Sequence, residues 1–248
     1  MNARVAAVLR SARSYAGAVR RVVTIAVAVA ILVVTGCQHP KLMQHKEILT
    51  LTIASNRVAV IGDSYTTGGP EGGLGEKGWT TQTWQILARQ GLATTADVGA
   101  EGGAGYGTRG NRGGLFEDLT AATVKPDDTL VVFYGSRNDQ GVDPTQLSVL
   151  IYGTFALARR IAPSAQLLVI GPPWPTADVP AAMIRIRDTL KYQAELAGAT
   201  FVDPIAAGWF VDRPELIGPD GVHPTDAGHA YMAEKIAPLI GAQLPRRV

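Results

Sequence analysis

The stretch VAVIGDSY at residues 58–65 decides the fold of this chain. Its first four residues are all apolar, which is typical of a strand covered on both faces of a parallel sheet. The run stops at Gly62, and Asp63 and Ser64 follow where the strand must end. Ligands of parallel α/β sheets bind beyond the carboxyl ends of the strands. The stretch therefore predicts either a polar capping turn or a nucleophile at the edge of a sheet.

Further strand-type runs alternate with amphipathic stretches along the rest of the chain. Strands are predicted at 57–61, 94–98, 129–134, 166–170 and 200–202. Helices are predicted at 79–90, 115–122, 145–161, 179–197 and 225 to about 240. This alternation predicts an α/β protein, a three-layer sandwich with a five-stranded parallel sheet between two helical layers.

The first 36 residues have the pattern of a signal peptide. An apolar run at 22–34 is interrupted only by Thr24. Five arginines precede this run, and no acidic residue does. About a dozen residues are too few to span a bilayer, which needs roughly 20 in a helix. Such a run suits the hydrophobic core of a signal peptide.

The signal region ends in Val34-Thr35-Gly36-Cys37, which resembles the lipobox of bacterial lipoproteins. That resemblance implies cleavage before Cys37 and lipidation of its thiol. Cys37 is the only cysteine, so no disulfide can form within the chain. A signal anchor with an unrelated cysteine is the alternative. The lipobox hypothesis places the protein outside the cytoplasm on a lipid anchor, or in secreted form if the lipobox is not used.

Removal of residues 1–36 changes the charge of the protein. The whole chain carries +2, and the remainder has 18 basic and 21 acidic residues, a net charge of −3. Without a basic patch, no nucleic-acid partner is predicted. Residues 37–56 form a short tether that includes a candidate edge strand at 48–53. Residues 57–248 are enough for one domain with a full-sized core.

The segment DGVHPT at 220–225 offers a base for Ser64. His223 precedes a proline, which disfavours helical geometry and places it in the loop before the last helix. Asp220 lies three residues earlier and can reach the histidine ring to fix its tautomer. Asp226 and His229 have the same spacing, but they fall inside the predicted helix, where such pairs are common surface neighbours.

Two other strand ends carry suggestive residues. A glycine-rich stretch follows the second strand at 99–107, and glycines let backbone N–H groups approach a bound atom closely. Asn138 follows the third strand, and its amide can donate to a developing oxyanion. Each feature alone also fits an ordinary loop or turn. No phosphate-binding fingerprint is present and the histidines lack metal-ligand spacing, so neither a cofactor nor a metal is predicted.

Taken together, GDSY, the glycine loop, Asn138 with the following Asp, and the terminal D-x-x-H-P resemble the SGNH (GDSL-type) hydrolases. The resemblance implies a flavodoxin-like fold in which Ser64 is the nucleophile, His223 the base and Asp220 its orienting acid. It also implies an oxyanion hole formed by the Ser64 N–H, Gly102 and Asn138. It extends from residue 57 to about 240, nearly the whole domain.

Three departures from the family pattern are visible. Tyr65 stands where the family has Leu, and adjacent Gly102 and Gly103 leave the oxyanion glycine open, with spacing in favour of Gly102. The third block reads G-S-R-N-D rather than G-x-N-D, which adds Arg137. Arg137 and Trp174 are candidate substrate-binding residues, and Trp174 can equally be a packed aromatic.

The leading hypothesis is a serine esterase that hydrolyses a short-chain, lipid or acylated-glycan O-acyl ester through an acyl-enzyme. An O-acyltransferase of the same fold is an alternative, because an acceptor alcohol can replace water. A non-catalytic envelope protein is the alternative from another class. Its binding surface would be the loop at 68–78 with the aromatics Trp79, Trp174 and Trp209.

Overall fold

The computed structural model describes residues 55–245. The signal peptide, Cys37, the candidate strand at 48–53 and most of the tether lie outside these residues, so those hypotheses stay predictions. No helix of the described part is long and apolar enough to cross a membrane.

Five parallel strands form one sheet in the order β2-β1-β3-β4-β5. The strands are β1 (Asn56–Gly62), β2 (Thr94–Ala100), β3 (Leu130–Tyr134), β4 (Gln166–Ile170) and β5 (Thr200–Val202). This order is that of flavodoxin-like folds, whose ligands bind beside the strand at which the order reverses. Gly62 pairs with Ala100 of β2 and with Tyr134 of β3. The loops that follow β1, β2 and β3 therefore start side by side.

The helices complete the predicted alternation. They are α1 (Ser64–Thr67), α2 (Trp79–Arg89), α3 (Phe116–Thr123), α4 (Pro144–Ile161), α5 (Ala181–Leu196) and α6 (Asp226–Gln243). Within residues 55–245, each of the five predicted strands and five predicted helices is present with bounds within three residues of the prediction. The sequence did not indicate the one-turn helix α1, and Asn56, which was assigned to the tether, belongs to β1.

Two hydrophobic cores lie on opposite faces of the sheet. Val58 and Val60 pack with α2 and α6 on one face, whereas Ala59 and Ile61 pack with α3, α4 and α5 on the other. All four side chains are fully buried. Because both faces of β1 are covered, its sequence shows no polar alternation. The three-layer sandwich predicted from the sequence is confirmed.

Candidate active site

Ser64 lies in a tight turn directly after β1. The Asp63 carboxylate caps α1 by accepting the N–H of Tyr65 at 2.9 Å. Gly62 is required here because a Cβ at this position would lie 2.2 Å from the Thr66 hydroxyl oxygen. Asp63 thus shapes the turn, and it leaves Ser64 partly exposed at the first position of the helix.

The loop before α6 brings the candidate base to this serine. The Nε2 atom of His223 lies 3.1 Å from the Ser64 Oγ, and its Nδ1 atom lies 2.5 Å from Asp220 Oδ2. Thr225 caps α6 by accepting the N–H of Gly228 at 3.1 Å, as its place in the sequence predicted. Residues separated by 159 positions are therefore in hydrogen-bond contact.

Asp220 is held as an ionised acceptor. Partial desolvation works to raise its pKa, but hydrogen bonds from the His223 ring and from the backbone N–H groups of His223 and Val222 lower it to about 2. An ionised carboxylate only accepts hydrogen bonds, so the facing Nδ1 must carry the proton. The lone pair of Nε2 then faces Ser64, which is the arrangement that a general base requires.

The glycine loop after β2 turns beside the serine. The N–H of Ala104 bonds to the carbonyl of Glu101 at 3.1 Å, and Gly103 within this turn has φ of +79°, a conformation that glycine adopts readily. Gly102 has no such backbone demand. Among the hydrogen bonds of residues 55–245, none uses the backbone N–H of Gly102 or of Ser64 as donor. Both groups are available to a ligand.

Asn138 connects the loop after β3 to the glycine loop. Its side-chain amide donates to the carbonyl oxygen of Ala104 at 2.8 Å and lies 3.5 Å from Asp63 Oδ2. The second contact is long and weak. One amide hydrogen therefore anchors the loop, and the other is only loosely engaged.

Asp139 organises the same loop, a role that the sequence did not predict. Its buried carboxylate accepts the backbone N–H groups of Tyr106, Gly107 and Thr108, each at 2.9 Å, and the hydroxyl of Ser136 at 2.7 Å. Charge-assisted bonds of this kind are roughly twice as strong as neutral ones. An acid that directly follows Asn138 at a strand end was the only signal in the sequence.

A family comparison decides what this arrangement is. Residues 60–231 match the model of the GDSL-like lipase/acylhydrolase family. The chain belongs to that family. As a member, the protein is a carboxylic ester hydrolase that acts on small-molecule esters, and the SGNH resemblance of its sequence is confirmed.

Individual relatives agree with this assignment. A GDSL lipase of Mycobacterium tuberculosis (strain ATCC 25618 / H37Rv) is 66% identical over 199 residues, which cover 79% of this chain and 86% of the relative. The solved structure of TesA has a TM-score of 0.61 and 21% identity, and covers 76% of this chain and 100% of its own. A family two carbohydrate esterase from Clostridium thermocellum has a TM-score of 0.60 and 18% identity, covering 76% and 64% respectively. These two structures support the fold.

The Tyr65 side chain of the hydrolase is buried and bonds to the loop that precedes α6. Only 1% of it is exposed, and its hydroxyl donates to the carbonyl of Val222 at 2.5 Å. Leucine, the usual family residue, could fill the same space but could not make this bond. Tyr65 thereby links the turn that holds Ser64 to the loop that holds His223.

The second D-x-x-H pair of the hydrolase is not a surface pair, contrary to the sequence prediction. His229 is fully buried, and its Nδ1 accepts the N–H of Trp79 at 3.3 Å. Asp226 instead bonds to Lys77 at 2.5 Å and to the N–H of Gly73 at 3.0 Å. This pair therefore holds the glycine-rich loop at 68–78 against α6.

His229 should make the stability of the hydrolase depend on pH. Burial lowers its pKa from 6.5 to about 4, while the charge of Asp226 opposes this shift. Because the folded state resists protonation, the stabilisation is complete above pH 6.5 and is lost as the pH falls towards 4. We expect the unfolding free energy of wild type, relative to His229→Gln, to fall by about 1.4 kcal/mol per pH unit across this interval.

Urea unfolding of both proteins at pH 7, 6, 5 and 4 measures this difference. Glutamine is the matched replacement because its side-chain oxygen can accept the N–H of Trp79 and it does not titrate. If the unfolding free energies of the two proteins changed with pH in the same way, His229 would not be a buried neutral histidine.

Two of the three tryptophans proposed as a binding surface are in the core. Trp79 is completely buried and Trp209 is 5% exposed. Both belong to the core that Val58 and Val60 share with α2 and α6, so they present no surface to a ligand. Trp174 alone remains partly exposed, and Arg137 stacks on its ring.

Proposed function

We propose that the protein is a serine esterase that forms an acyl-enzyme on Ser64. The contact that carries this proposal is the 3.1 Å distance from Ser64 Oγ to Nε2 of His223, together with the 2.5 Å distance from His223 Nδ1 to Asp220. A serine hydroxyl is a weak nucleophile unless an adjacent base removes its proton, and this chain of contacts supports such activation.

The reaction would proceed in two halves. His223 takes the hydroxyl proton as Ser64 Oγ bonds to the ester carbonyl carbon, and the carbonyl oxygen becomes an oxyanion. The free N–H groups of Ser64 and Gly102 and the loosely engaged amide hydrogen of Asn138 are the proposed donors to it. His223 then gives its proton to the departing alcohol. Water, activated by the same histidine, releases the acid and restores Ser64.

Hydrolysis and acyl transfer share every step up to the acyl-enzyme. We propose hydrolysis as the main reaction because the mycobacterial relative is named a lipase and covers most of the domain. Incubation with an ester in the presence and absence of a sugar alcohol distinguishes the two. Hydrolysis releases free acid in both cases, whereas a transferase would yield the new sugar ester.

The name of the relative also favours acyl esters of lipid type over acetylated sugars. A series of 4-nitrophenyl esters from acetate to palmitate, with an acetylated sugar alongside, measures this preference on the domain that follows Cys37. The acyl length with the highest kcat/KM defines the substrate class.

A fluorophosphonate probe tests the proposed nucleophile. The wild-type protein is expected to be labelled at Ser64, identified by mass spectrometry of the modified peptide, because His223 activates this hydroxyl. His223→Ala is expected to slow labelling by at least about 100-fold, since the base is lost. Labelling at another serine, or none at all, would contradict the proposal.

We also propose that Cys37 carries a lipid that holds the hydrolase on the outer side of the cytoplasmic membrane. The support is the Val34-Thr35-Gly36-Cys37 sequence at the end of the signal region. In a bacterial host fed an alkyne fatty acid, the wild-type protein is expected to become labelled and to sediment with membranes. Cys37→Ser should lose both properties, and equal labelling of the two proteins would refute the anchor.

A further inference from the structure

Arg137 occupies an unusual position beside the proposed nucleophile. It is the added residue of the third block and directly precedes Asn138, at the start of the one-turn 3-10 helix Arg137–Gly141. Ser136 before it has φ of +84°, which is costly for a residue with a side chain. The Ser136 hydroxyl donates to Asp139 at 2.7 Å, which helps to hold this backbone, and the Arg137 side chain contacts Trp174.

The guanidinium group of Arg137 lies over the indole ring of Trp174. Its central carbon lies 4.2 Å from the centroid of the Trp174 ring. Trp174 follows β4, the neighbour of β3 in the sheet, and its indole N–H donates to the carbonyl of Asp178 at 3.0 Å. Cation–π stacking on a ring fixed in this way orders a side chain that is otherwise flexible.

The charge of Arg137 has no ionic partner in the part of the chain that the structure describes. No carboxylate oxygen of residues 55–245 lies within 4.0 Å of its guanidinium nitrogens. Its Nη1 is buried and makes no hydrogen bond to any of these residues. A guanidinium offers five N–H donors in a flat fork, and a buried donor without an acceptor, such as the Nη1 group, is costly.

The segment that carries this cation lies against the turn that holds Ser64. The side-chain amide nitrogen of Asn138, the next residue, is 3.5 Å from Asp63 Oδ2, and a Cβ on Gly135 would lie 2.6 Å from the same oxygen. Burial raises the pKa of Tyr65 above its ordinary value, and the charge of Arg137 and the proximity of its N–H groups to the Tyr65 hydroxyl oppose that rise. Burial likewise raises the pKa of Asp63 to about 7, again against the charge of Arg137. An ester bound at Ser64 would therefore be next to a preorganised positive charge.

We propose that Arg137, held by Trp174, makes the enzyme selective for esters that carry a negatively charged oxygen group, a carboxylate or a phosphate. A flat guanidinium matches both groups through paired hydrogen bonds. The inference rests on the proposed esterase function. The negative group belongs to a part of the substrate away from the reacting carbonyl, on either the acyl or the alcohol side.

Matched ester pairs measure the selectivity. For the acyl side, mono-4-nitrophenyl adipate is compared with 4-nitrophenyl hexanoate, which replaces the terminal carboxylate by a methyl group. For the alcohol side, 4-acetoxybenzoate is compared with 4-acetoxybenzamide. We expect wild type to favour the anionic member of at least one pair. The ratio of kcat/KM for anionic over neutral ester should fall about tenfold to 100-fold in Arg137→Gln.

Further variants separate this role from others. Arg137→Lys keeps the charge without the flat fork and should give an intermediate ratio. Arg89→Gln removes the same charge from an exposed arginine at the end of α2, which leads into the start of β2 rather than following a strand end, and should keep the wild-type ratio.

Three outcomes would overturn the inference. The first is a wild-type enzyme that shows no preference in either pair, a result that needs no variant to fold. The second is an equal loss on both members of each pair in Arg137→Gln, which would mean that Arg137 supports the oxyanion or the fold. In both cases turnover of the neutral esters leaves the esterase proposal standing. The third, absence of any Ser64-dependent turnover, would overturn both proposals.

Discussion

Replacing Ser64 with alanine is expected to lower kcat for a short 4-nitrophenyl ester by at least about 10⁴-fold. The substitution removes the hydroxyl oxygen that lies 3.1 Å from Nε2 of His223, and with it the proposed nucleophile, so the proposed acyl-enzyme cannot form. The hydroxyl makes no bond that the fold needs, because Asp63 and the backbone shape the turn. Circular dichroism and the melting temperature should therefore stay close to those of wild type.

Thr67 provides a matched control for Ser64. It is exposed in the same one-turn helix, and its hydroxyl bonds only to backbone carbonyls of Ser64 and Gly68. Thr67→Ala should retain kcat within about threefold of wild type. Turnover of the Ser64→Ala protein at a rate comparable to this control would show that another group is the nucleophile.

Asp220→Asn is the second variant with a large expected effect, a loss of about 10³-fold to 10⁴-fold in kcat. In the wild-type protein, Asp220 Oδ1 accepts the N–H groups of Val222 and His223, and the single side-chain oxygen of asparagine can still accept both. The new amide then faces Nδ1 as a donor, so the imidazole must place its proton on Nε2. A protonated Nε2 cannot take the proton of Ser64. Steady-state kinetics between pH 6 and 9 measure the loss.

The chain contains its own control for this change. Asp226→Asn alters the acid of the second D-x-x-H pair, which bonds Lys77 and Gly73 rather than the proposed base. Its loss of kcat should stay below about tenfold. If the two substitutions had equal effects on kcat, Asp220 would have no special role in orienting His223.

The architecture was predictable because its signals are local. Each of the runs VAVI, LVVF and LLVI is covered on both faces, so each reads as continuously apolar. Proline after His223 and the capping Thr225 placed the loop and the last helix correctly. The residues suspected at three strand ends are neighbours because β1, β2 and β3 end at the same level.

The parts that could not be predicted depend on contacts between distant segments. Nothing near Tyr65 in the sequence indicates that its hydroxyl meets the carbonyl of Val222, 157 residues away. The burial of His229 arises from the packing of Gly73 and Trp79 onto α6, whereas helical spacing alone suggested a surface pair. Likewise, Asp139 appears as an ordinary turn residue until the loop at 106–108 folds around it.

The separation of 159 residues between Ser64 and His223 has a consequence for the order of events during folding. Strand β1 is an interior strand of the sheet but lies near the beginning of the domain, while the histidine loop precedes the final helix. A chain that emerges from its amino end has exposed its serine long before α6 exists. Ser64 and His223 meet only when α6 packs against the face of the sheet that carries Val58 and Val60. Under the proposed mechanism, a partly emerged chain therefore carries Ser64 without its base, and esterase activity is the last property that the domain acquires.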